Sequence, residues 1–280
     1  MGTRMIVVTG ATGNVGRTLV RTLAAAGHPV TAVSRHIQDA GADVPAGVRA
    51  VAADLGEPTG LKDALQGAKA LFLLVAGDDP AGVLAEARTA GVTRVVLVSS
   101  QGVGTRPGSA YEHAARFEQA VAASGLDYTI LRSGGMDSNA FAWVEPIRAQ
   151  RIAPAPFGEV GLPFVDPDDV AAVAAAVLTE DGHTGATYVL TGPAPTTPRQ
   201  RAAAIAEAIG APVTFVEMSR EEARAQMTQF MPPAVVEGTL AILGEPTAEE
   251  QDVSLDVERI LGRPAAAFGV WAERNAGAFR

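Results

Sequence analysis

The sequence predicts an α/β fold, a doubly wound parallel Rossmann sheet followed by a smaller, mostly helical lobe, and three observations carry that reading. The apolar run Met5-Ile6-Val7-Val8-Thr9 passes straight into the glycine turn Gly10-Ala11-Thr12-Gly13-Asn14-Val15-Gly16. Near-continuous apolar segments then alternate with helical ones, the pattern of strands buried on both faces. From about residue 140 the alternation stops, in loops rich in proline and glycine (Pro146, Pro154, Pro156, Gly158, Gly161, Pro163).

Each element has its own local reason. Residues 5–9 form the first strand, and Val15, Leu19, Val20 and Leu23 recur at helical spacing up to Gly27, a C-cap. Strands are expected at 30–33, 48–53, 71–75, 94–99 and 128–132, with helices at 61–66, 80–90 and 111–124. Asp166-Pro167-Asp168-Asp169 precedes an alanine-rich helix that an aspartate can cap. Residues 187–190 read as one more strand, Thr197-Pro198 opens a helix to Ile209, and 213–216 is a short strand of the smaller lobe. The division expected is a dinucleotide-binding domain over 1–150 and a substrate lobe over 151–280, of which about 185–192 returns a strand to the main sheet.

Composition narrows the function. The chain has 280 residues, 48% hydrophobic and 19% charged, with a formal net charge of -9 and no basic stripe, which disfavours nucleic acid as a partner. Its longest apolar runs are far short of a membrane span, and the first strand begins almost at once, with no signal segment before it. A cytoplasmic location is the expectation. The chain has no cysteine, and its four histidines lack zinc-type spacing, so no metal site is expected.

The glycine turn is the chemical centre of the sequence. Glycine there allows a backbone conformation that other residues resist, close approach to a pyrophosphate, and close packing of helix on strand. The helix that follows aims its positive end at the phosphates. The second strand ends in Ser34-Arg35-His36, with no carboxylate to hold free ribose hydroxyls. Arg35 instead offers a planar donor fork for a 2′-phosphate, which favours NADPH over NADH. Asp54, ending the third strand, either accepts from the adenine amino group or is a plain turn aspartate. Val75-Ala76-Gly77 and Ser99-Ser100-Gln101 end the next two strands, beside the expected nicotinamide; the serines are donors or turn formers, and Gln101 is the more informative polar group.

These motifs, together with Ser124-Gly125-Leu126-Asp127-Tyr128-Thr129-Ile130-Leu131-Arg132 and Asn139, resemble the NmrA-like branch of the atypical short-chain dehydrogenases. Phe164-Val165-Asp166-Pro167-Asp168-Asp169-Val170-Ala171, Leu261-Gly262-Arg263-Pro264 and Trp271 extend the resemblance over nearly the whole chain. It implies cofactor contacts at Gly10, Thr12, Gly13, Asn14, Val15, Gly16 and Arg35, with Asp54 and Leu55 near the adenine and Ala76, Gly77, Ser99 and Gln101 on the nicotinamide side. The branch contains NAD(P)H-dependent quinone reductases, tailoring reductases of aromatic polyketide pathways, and sensors that bind a dinucleotide and a protein partner without turnover.

One departure bears on the reaction. Typical short-chain dehydrogenases place a tyrosine and a lysine four residues apart, but here Tyr111 is followed by Ala115, Gln119 stands where quinone-reducing relatives often have lysine, and no lysine follows Lys69. Reducing an isolated ketone creates a basic alkoxide that needs an acid; reducing a quinone creates a delocalised anion that needs only positioning and modest hydrogen bonding. Gln101, Tyr111 and His113 are the candidates for holding the substrate oxygen, and Glu118 is expected to be a solvated or capping residue. Met136, Phe141, Trp143, Phe157 and Phe164 cluster after the sixth strand, where flat apolar groups suit a planar aromatic substrate. The expectation is an NADPH-dependent reductase of a quinone or polycyclic aromatic ketone, in aromatic polyketide tailoring and with a hydroxylation step as a related outcome. The alternative is an NAD(P)-sensing regulator with a protein partner, told apart by whether the crevice beside the nicotinamide is open or filled.

Overall fold

A computed structural model describes residues 4–37, 44–108 and 110–280. Seven strands build the main sheet: β1 (Ile6–Thr9), β2 (Val30–Ser34), β3 (Arg49–Ala52), β4 (Ala70–Leu74), β5 (Arg94–Ser100), β6 (Asp127–Ser133) and β8 (Ala186–Leu190). They lie in the order β3-β2-β1-β4-β5-β6-β8, and every neighbouring pair is parallel. The order reverses direction between β1 and β4, and ligands of such sheets bind outside the strand ends at that switch point.

Side-chain alternation feeds two cores from one strand. Ile6 and Val8 join the core under α1 (Asn14–Ala25) and α7 (Pro167–Thr179), whereas Val7 joins the opposite core under α2 (Lys62–Leu65), α3 (Pro80–Thr89) and α5 (Glu112–Ala123). α1 buries Val15, Leu19, Val20 and Leu23, the residues whose spacing predicts it, and Gly27 follows its end with φ +80°. β3 is an edge strand with little burial. The helix expected at 61–66 is a 3-10 turn, Pro58–Leu61, running into the four residues of α2.

The strand expected at 213–216 is β9 (Thr214–Met218), paired in parallel with β7 (Ile152–Pro156), which the prolines at 154 and 156 make read as loop. β7 is paired on one edge alone, where proline's missing N–H costs no ladder bond if it faces outward. Behind this ribbon, α8 (Pro198–Ile209) and α13 (Phe268–Phe279) enclose a third core with Trp143, Ile147, Ile205, Phe268, Trp271 and Phe279. Between them in sequence come α9 (Arg220–Met227), α10 (Pro233–Gly244), α11 (Ala248–Gln251) and α12 (Asp256–Leu261). α4 (Gly102–Thr105) follows β5, and α6 (Val144–Gln150) precedes β7. α7 packs on α1, so the later half of the chain returns a helix as well as a strand to the Rossmann layers. Among the described residues no helix is long and apolar enough to cross a membrane, and no cluster of metal-ligating side chains occurs.

Candidate active site

The glycine turn folds as its chemistry requires. Gly10 has φ +62°, and a Cβ there would fall 2.1 Å from Leu74 Cδ1. A Cβ on Gly16 would fall 2.2 Å from the Gly10 carbonyl oxygen, so the first turn of α1 sits directly on the loop. Gly13 occupies the N-cap of α1 without a side-chain cap and with no acidic residue in the first turn, leaving the helix end suited to an anion. Thr12 and Ser34 join the loop to β2 through hydroxyls 2.9 Å apart, and Ala11 N–H donates to the Val33 carbonyl at 3.0 Å.

A cavity of about 340 Å³ opens beside this turn. Gly10, Thr12, Gly13, Arg35, Asp54, Leu55, Ala76 and Gly77 all line it, so one groove brings together most of the residues expected to touch the dinucleotide. Gly77 has φ +78°, and a Cβ there would meet the Leu55 carbonyl oxygen at 2.6 Å, so the loops that follow β3 and β4 are in close contact. Asp54 accepts from the Gly56 N–H at 2.9 Å, a turn-forming bond that uses one carboxylate oxygen. Asn14 borders a separate groove toward α13, while Val15 and Gly16 are buried in the helix start. These residues fit a dinucleotide: glycines keep the cradle free of side chains, the helix end faces it, and Arg35 stands at its rim.

A second cavity, about 210 Å³, lies at the ends of β5 and β6. Ser100, Gln101, Tyr111, Asn139 and Glu250 supply polar groups, and Leu162, Pro163, Phe164, Ile242 and Leu243 supply apolar wall and roof. α10 therefore roofs the site. Gln101 donates from Nε2 to the Glu249 carbonyl at 2.9 Å, tying the floor to α11. Burial raises the Tyr111 phenol above its usual value and Glu250 adds to the rise, while Arg106 and a hydrogen bond with Ser100 act against it.

Several expected residues lie elsewhere. The Ser99 hydroxyl is buried and donates to Glu118 at 2.6 Å, turned away from both cavities. Glu118 is itself buried rather than solvated, bound by Arg132 at 2.7 Å, so the two form an internal ion pair that fixes α5 to β6. His113 stands on the exposed side of α5, 2.9 Å from Arg116. Phe141 packs edge-on against Trp271, with ring centroids 5.0 Å apart, and Trp143 is buried, donating to the Pro154 carbonyl at 2.8 Å. Both belong to the third core, because the 3-10 turn Asp137–Trp143 directs them toward α13 and α8 rather than toward the sheet crevice. Met136 packs on the α1/α7 core and bridges to Val165. Phe157, with φ +57°, lies under α10 against Gly244. Of the aromatic set, Phe164 alone lines this second cavity, its ring 3.8 Å from the Arg201 guanidinium carbon.

Glu250 and Arg106 escaped the sequence reading. Glu250 is 3% exposed and accepts from Arg106 Nε at 2.7 Å, Arg106 Nη2 at 2.8 Å and the Thr105 hydroxyl at 2.8 Å. Thr247-x-x-Glu250 is a capping-box pattern, and it does form. That signal announces a helix start, but not a carboxylate turned inward to a distant arginine. Burial works against the Glu250 carboxylate, yet bonds from Arg106, the Thr247 backbone and Thr105 outweigh it and hold the group below its usual range.

A parallel sheet with a switch point between β1 and β4 and a glycine cradle lining a groove there defines a class, the Rossmann-type dinucleotide-binding proteins. A family model described as NAD(P)H-binding matches residues 10–181, beginning at the first glycine of the turn. The chain is 35% identical to a (4-alkanoyl-5-oxo-2,5-dihydrofuran-3-yl)methyl phosphate reductase of Streptomyces griseus, over 98% of this chain and 99% of that one. It is 32% identical to an NAD(P)H azoreductase of Xenophilus azovorans, over 98% and 99% of the two chains. The crystal structure of an NADPH-dependent quinone oxidoreductase from Escherichia coli superposes with a TM-score of 0.79 at 27% identity, covering 99% of this chain and 100% of that one. The chain belongs to the NAD(P)H-binding family, in its NmrA-like branch of atypical short-chain dehydrogenases and reductases.

Proposed function

We propose that the protein is an NADPH-dependent reductase of a small planar acceptor, with a quinone or an aromatic ketone as the reducible group. One observation carries the reading: a cavity with an apolar wall and a polar rim lies at the ends of β5 and β6, along the same edge of the sheet as the groove at the ends of β1, β2 and β4, whereas a sensor would have no use for that space. The named relatives are reductases of different acceptors, two of them named for NAD(P)H or NADPH, which agrees with a common cofactor half and a variable acceptor half.

Bound NAD(P)H supplies a hydride. Gly10, Thr12, Gly13, Asn14 and Gly16 would hold its pyrophosphate, Arg35 the 2′-phosphate, and Asp54, Leu55, Ala76 and Gly77 the walls of the groove. Phe164, Leu162, Ile242 and Leu243 exclude water from the acceptor, and Gln101 and Tyr111 orient its oxygen. An apolar cavity of about 150 Å³ holds a benzene molecule. The cavity of about 210 Å³ therefore suits one or two rings better than a larger polycycle. The assignment to aromatic polyketide tailoring, with or without hydroxylation, rests on the family resemblance alone.

The test is NADPH oxidation by the purified protein against benzo-, naphtho- and anthraquinones. Turnover with one- and two-ring quinones and weaker turnover with three rings is the expected result. NADPH binding without oxidation by any of them would favour the sensing alternative.

A further inference from the structure

We propose that Arg201 is a specificity-determining residue of the acceptor cavity: its guanidinium, packed on the Phe164 ring that walls the cavity, makes the site favour acceptors that carry or gain a negative charge. The proposal rests on the reductase reading for the identity of the acceptor, and its test reads binding as well as turnover, so that the two can fail separately.

Arg201 stands early in α8, a helix opened by the Thr197 and Gln200 capping box, at the end where the helix dipole disfavours a cation. It is nevertheless 6% exposed, and its Nε has no hydrogen-bond partner. The guanidinium carbon lies 3.8 Å from the centre of the Phe164 ring and 5.8 Å from that of Trp143. Phe164 borders the cavity whereas Arg201 does not, so this ring is the group that the charge and the cavity share. Gly135, also in the cavity wall, packs tightly on the ring: a Cβ there would fall 2.8 Å from Phe164 Cε1.

The charge has no ionised counterpart at neutral pH. Burial lowers the guanidinium to about 10, which leaves it a cation, and the carboxyl that acts on it is that of Asp137. Asp137 meets the same segment through its backbone: its N–H donates to the carbonyl of Val165, the residue after Phe164, and the 3-10 turn that it opens ends at Trp143. Its carboxyl is fully buried with neither oxygen hydrogen-bonded, and it is pushed up to about 8, hence neutral at pH 7. The charged groups facing Asp137 are Arg201 from α8, Asp166 and Asp169 from the start of α7, and Arg274 from α13. Asp166 is bound by Arg274 and Asp169 by Arg263, each at 2.7 Å. Glu250, the carboxylate of the cavity lining, is bound by Arg106 at 2.7 Å.

This arrangement suits the charge that the reaction creates. A neutral quinone that accepts a hydride gains two electrons and one hydrogen nucleus as the nicotinamide is oxidised; it becomes a monoanion, which then takes one proton from solvent. An acceptor touching the Phe164 ring, on its face or its edge, lies about 7 Å from the guanidinium, one van der Waals contact beyond the ring. At that range, and at an effective dielectric of about 20, a unit positive charge shifts an equilibrium toward the anion by roughly ten- to fiftyfold.

The test compares 1,4-naphthoquinone, which is neutral, with 2-hydroxy-1,4-naphthoquinone, an anion with the same rings at pH 7. Dissociation constants are read by calorimetry without coenzyme, and kcat is measured separately. Arg201→Met should weaken the anion about tenfold and the neutral quinone by less than about twofold. It should also lower kcat for the neutral quinone several-fold, because there the charge develops only during hydride transfer. Arg201→Lys should keep most of the preference, and an apolar chain in place of an unmatched buried charge does not threaten the fold. An Arg201→Met protein that binds the two quinones in the parent's ratio overturns the proposal. If that parent oxidises NADPH with either quinone, the reductase reading stands without it. A ratio that moves as expected in a protein that oxidises no NADPH overturns the reductase reading and leaves the charge role in place. Should Arg201→Met fail to fold, pH decides: at pH 9 Asp137 ionises and the parent should lose most of its preference, while Asp137→Asn keeps it. A parent ratio that is the same at pH 7 and pH 9 would then overturn the proposal.

Discussion

Arg35 is exposed just past the end of β2 and lines the groove beside the glycine turn, where its guanidinium fork is free to meet a phosphate. A hydrogen bond to a charged partner contributes about 1.5–3 kcal/mol. Arg35→Ala should therefore raise KM for NADPH roughly tenfold to a hundredfold and leave KM for NADH nearly unchanged. Equal losses with both coenzymes would show that the arginine does not read the phosphate. Asp137 poses a different question, because its carboxyl is fully buried and neither oxygen has a hydrogen-bond partner. Burial, reinforced by Asp166, pushes it up to about 8, although Arg201 acts against the rise. An acid raised in the folded state binds more protons folded than unfolded, so its stabilising effect is complete below the unfolded value near 4 and is lost as pH climbs toward 8. Asp137→Asn should thus flatten the fall in stability across that window and leave the protein more stable at pH 8 by on the order of a few kcal/mol. Thermal unfolding at a series of pH values checks it, and an asparagine variant that keeps the parent slope would refute the assignment. The aspartate could be seen in the sequence as a residue type, but nothing local distinguishes it from a solvated one; its N–H donates to the Val165 carbonyl and Arg201 acts on its carboxyl, both from remote segments.

Among the elements, α7 shows how far local signals reach. Asp166 caps the helix by accepting from the Asp168 N–H at 2.9 Å, as Asp-Pro-Asp-Asp before an alanine-rich run predicts. The same carboxylate also takes both of its oxygens to Arg274 of α13 at 2.7 Å, a bond that no local pattern announces. Asp166→Ala removes a cap worth about 1 kcal/mol and a charged hydrogen bond of about 1.5–3 kcal/mol, so a loss of roughly 2–4 kcal/mol is expected, read as a lower urea midpoint with an unchanged slope. β7 makes the converse point. Its two prolines suppress the strand signal, and only the arrival of β9 beside it gives the segment a partner.

Across the whole molecule, the C-terminal helix is the piece that joins the lobe to the sheet. Trp271 of α13 is 2% exposed and touches the rings of Phe141, Phe268 and Phe279. Truncating a buried aromatic of this kind costs about 3–5 kcal/mol. Trp271→Ala should therefore unfold at a distinctly lower urea concentration, and an unchanged midpoint would mean that α13 is not integral to the fold. The aromatic residues after β6 read in sequence as a substrate wall, yet Phe141 and Trp143 support this joint, and the acceptor cavity takes its roof from α10 instead.

The strand-turn-helix at the N-terminus, the alternation that follows it and Arg35 at a strand end were all readable along the chain, since phosphate cradles and parallel strands are specified by short-range glycine placement and apolar runs. Ser100 and Tyr111 were visible for the same reason, being near neighbours in sequence at the end of one strand and the start of the next helix. The pairing of Arg106 with Glu250, the isolation of Asp137 and the roof over the acceptor belong to the tertiary structure. Each joins residues remote in sequence, from 28 positions apart for Asp137 and Val165 to 144 for Arg106 and Glu250, and burial and charge pairing at that range depend on how layers pack, which no local pattern records.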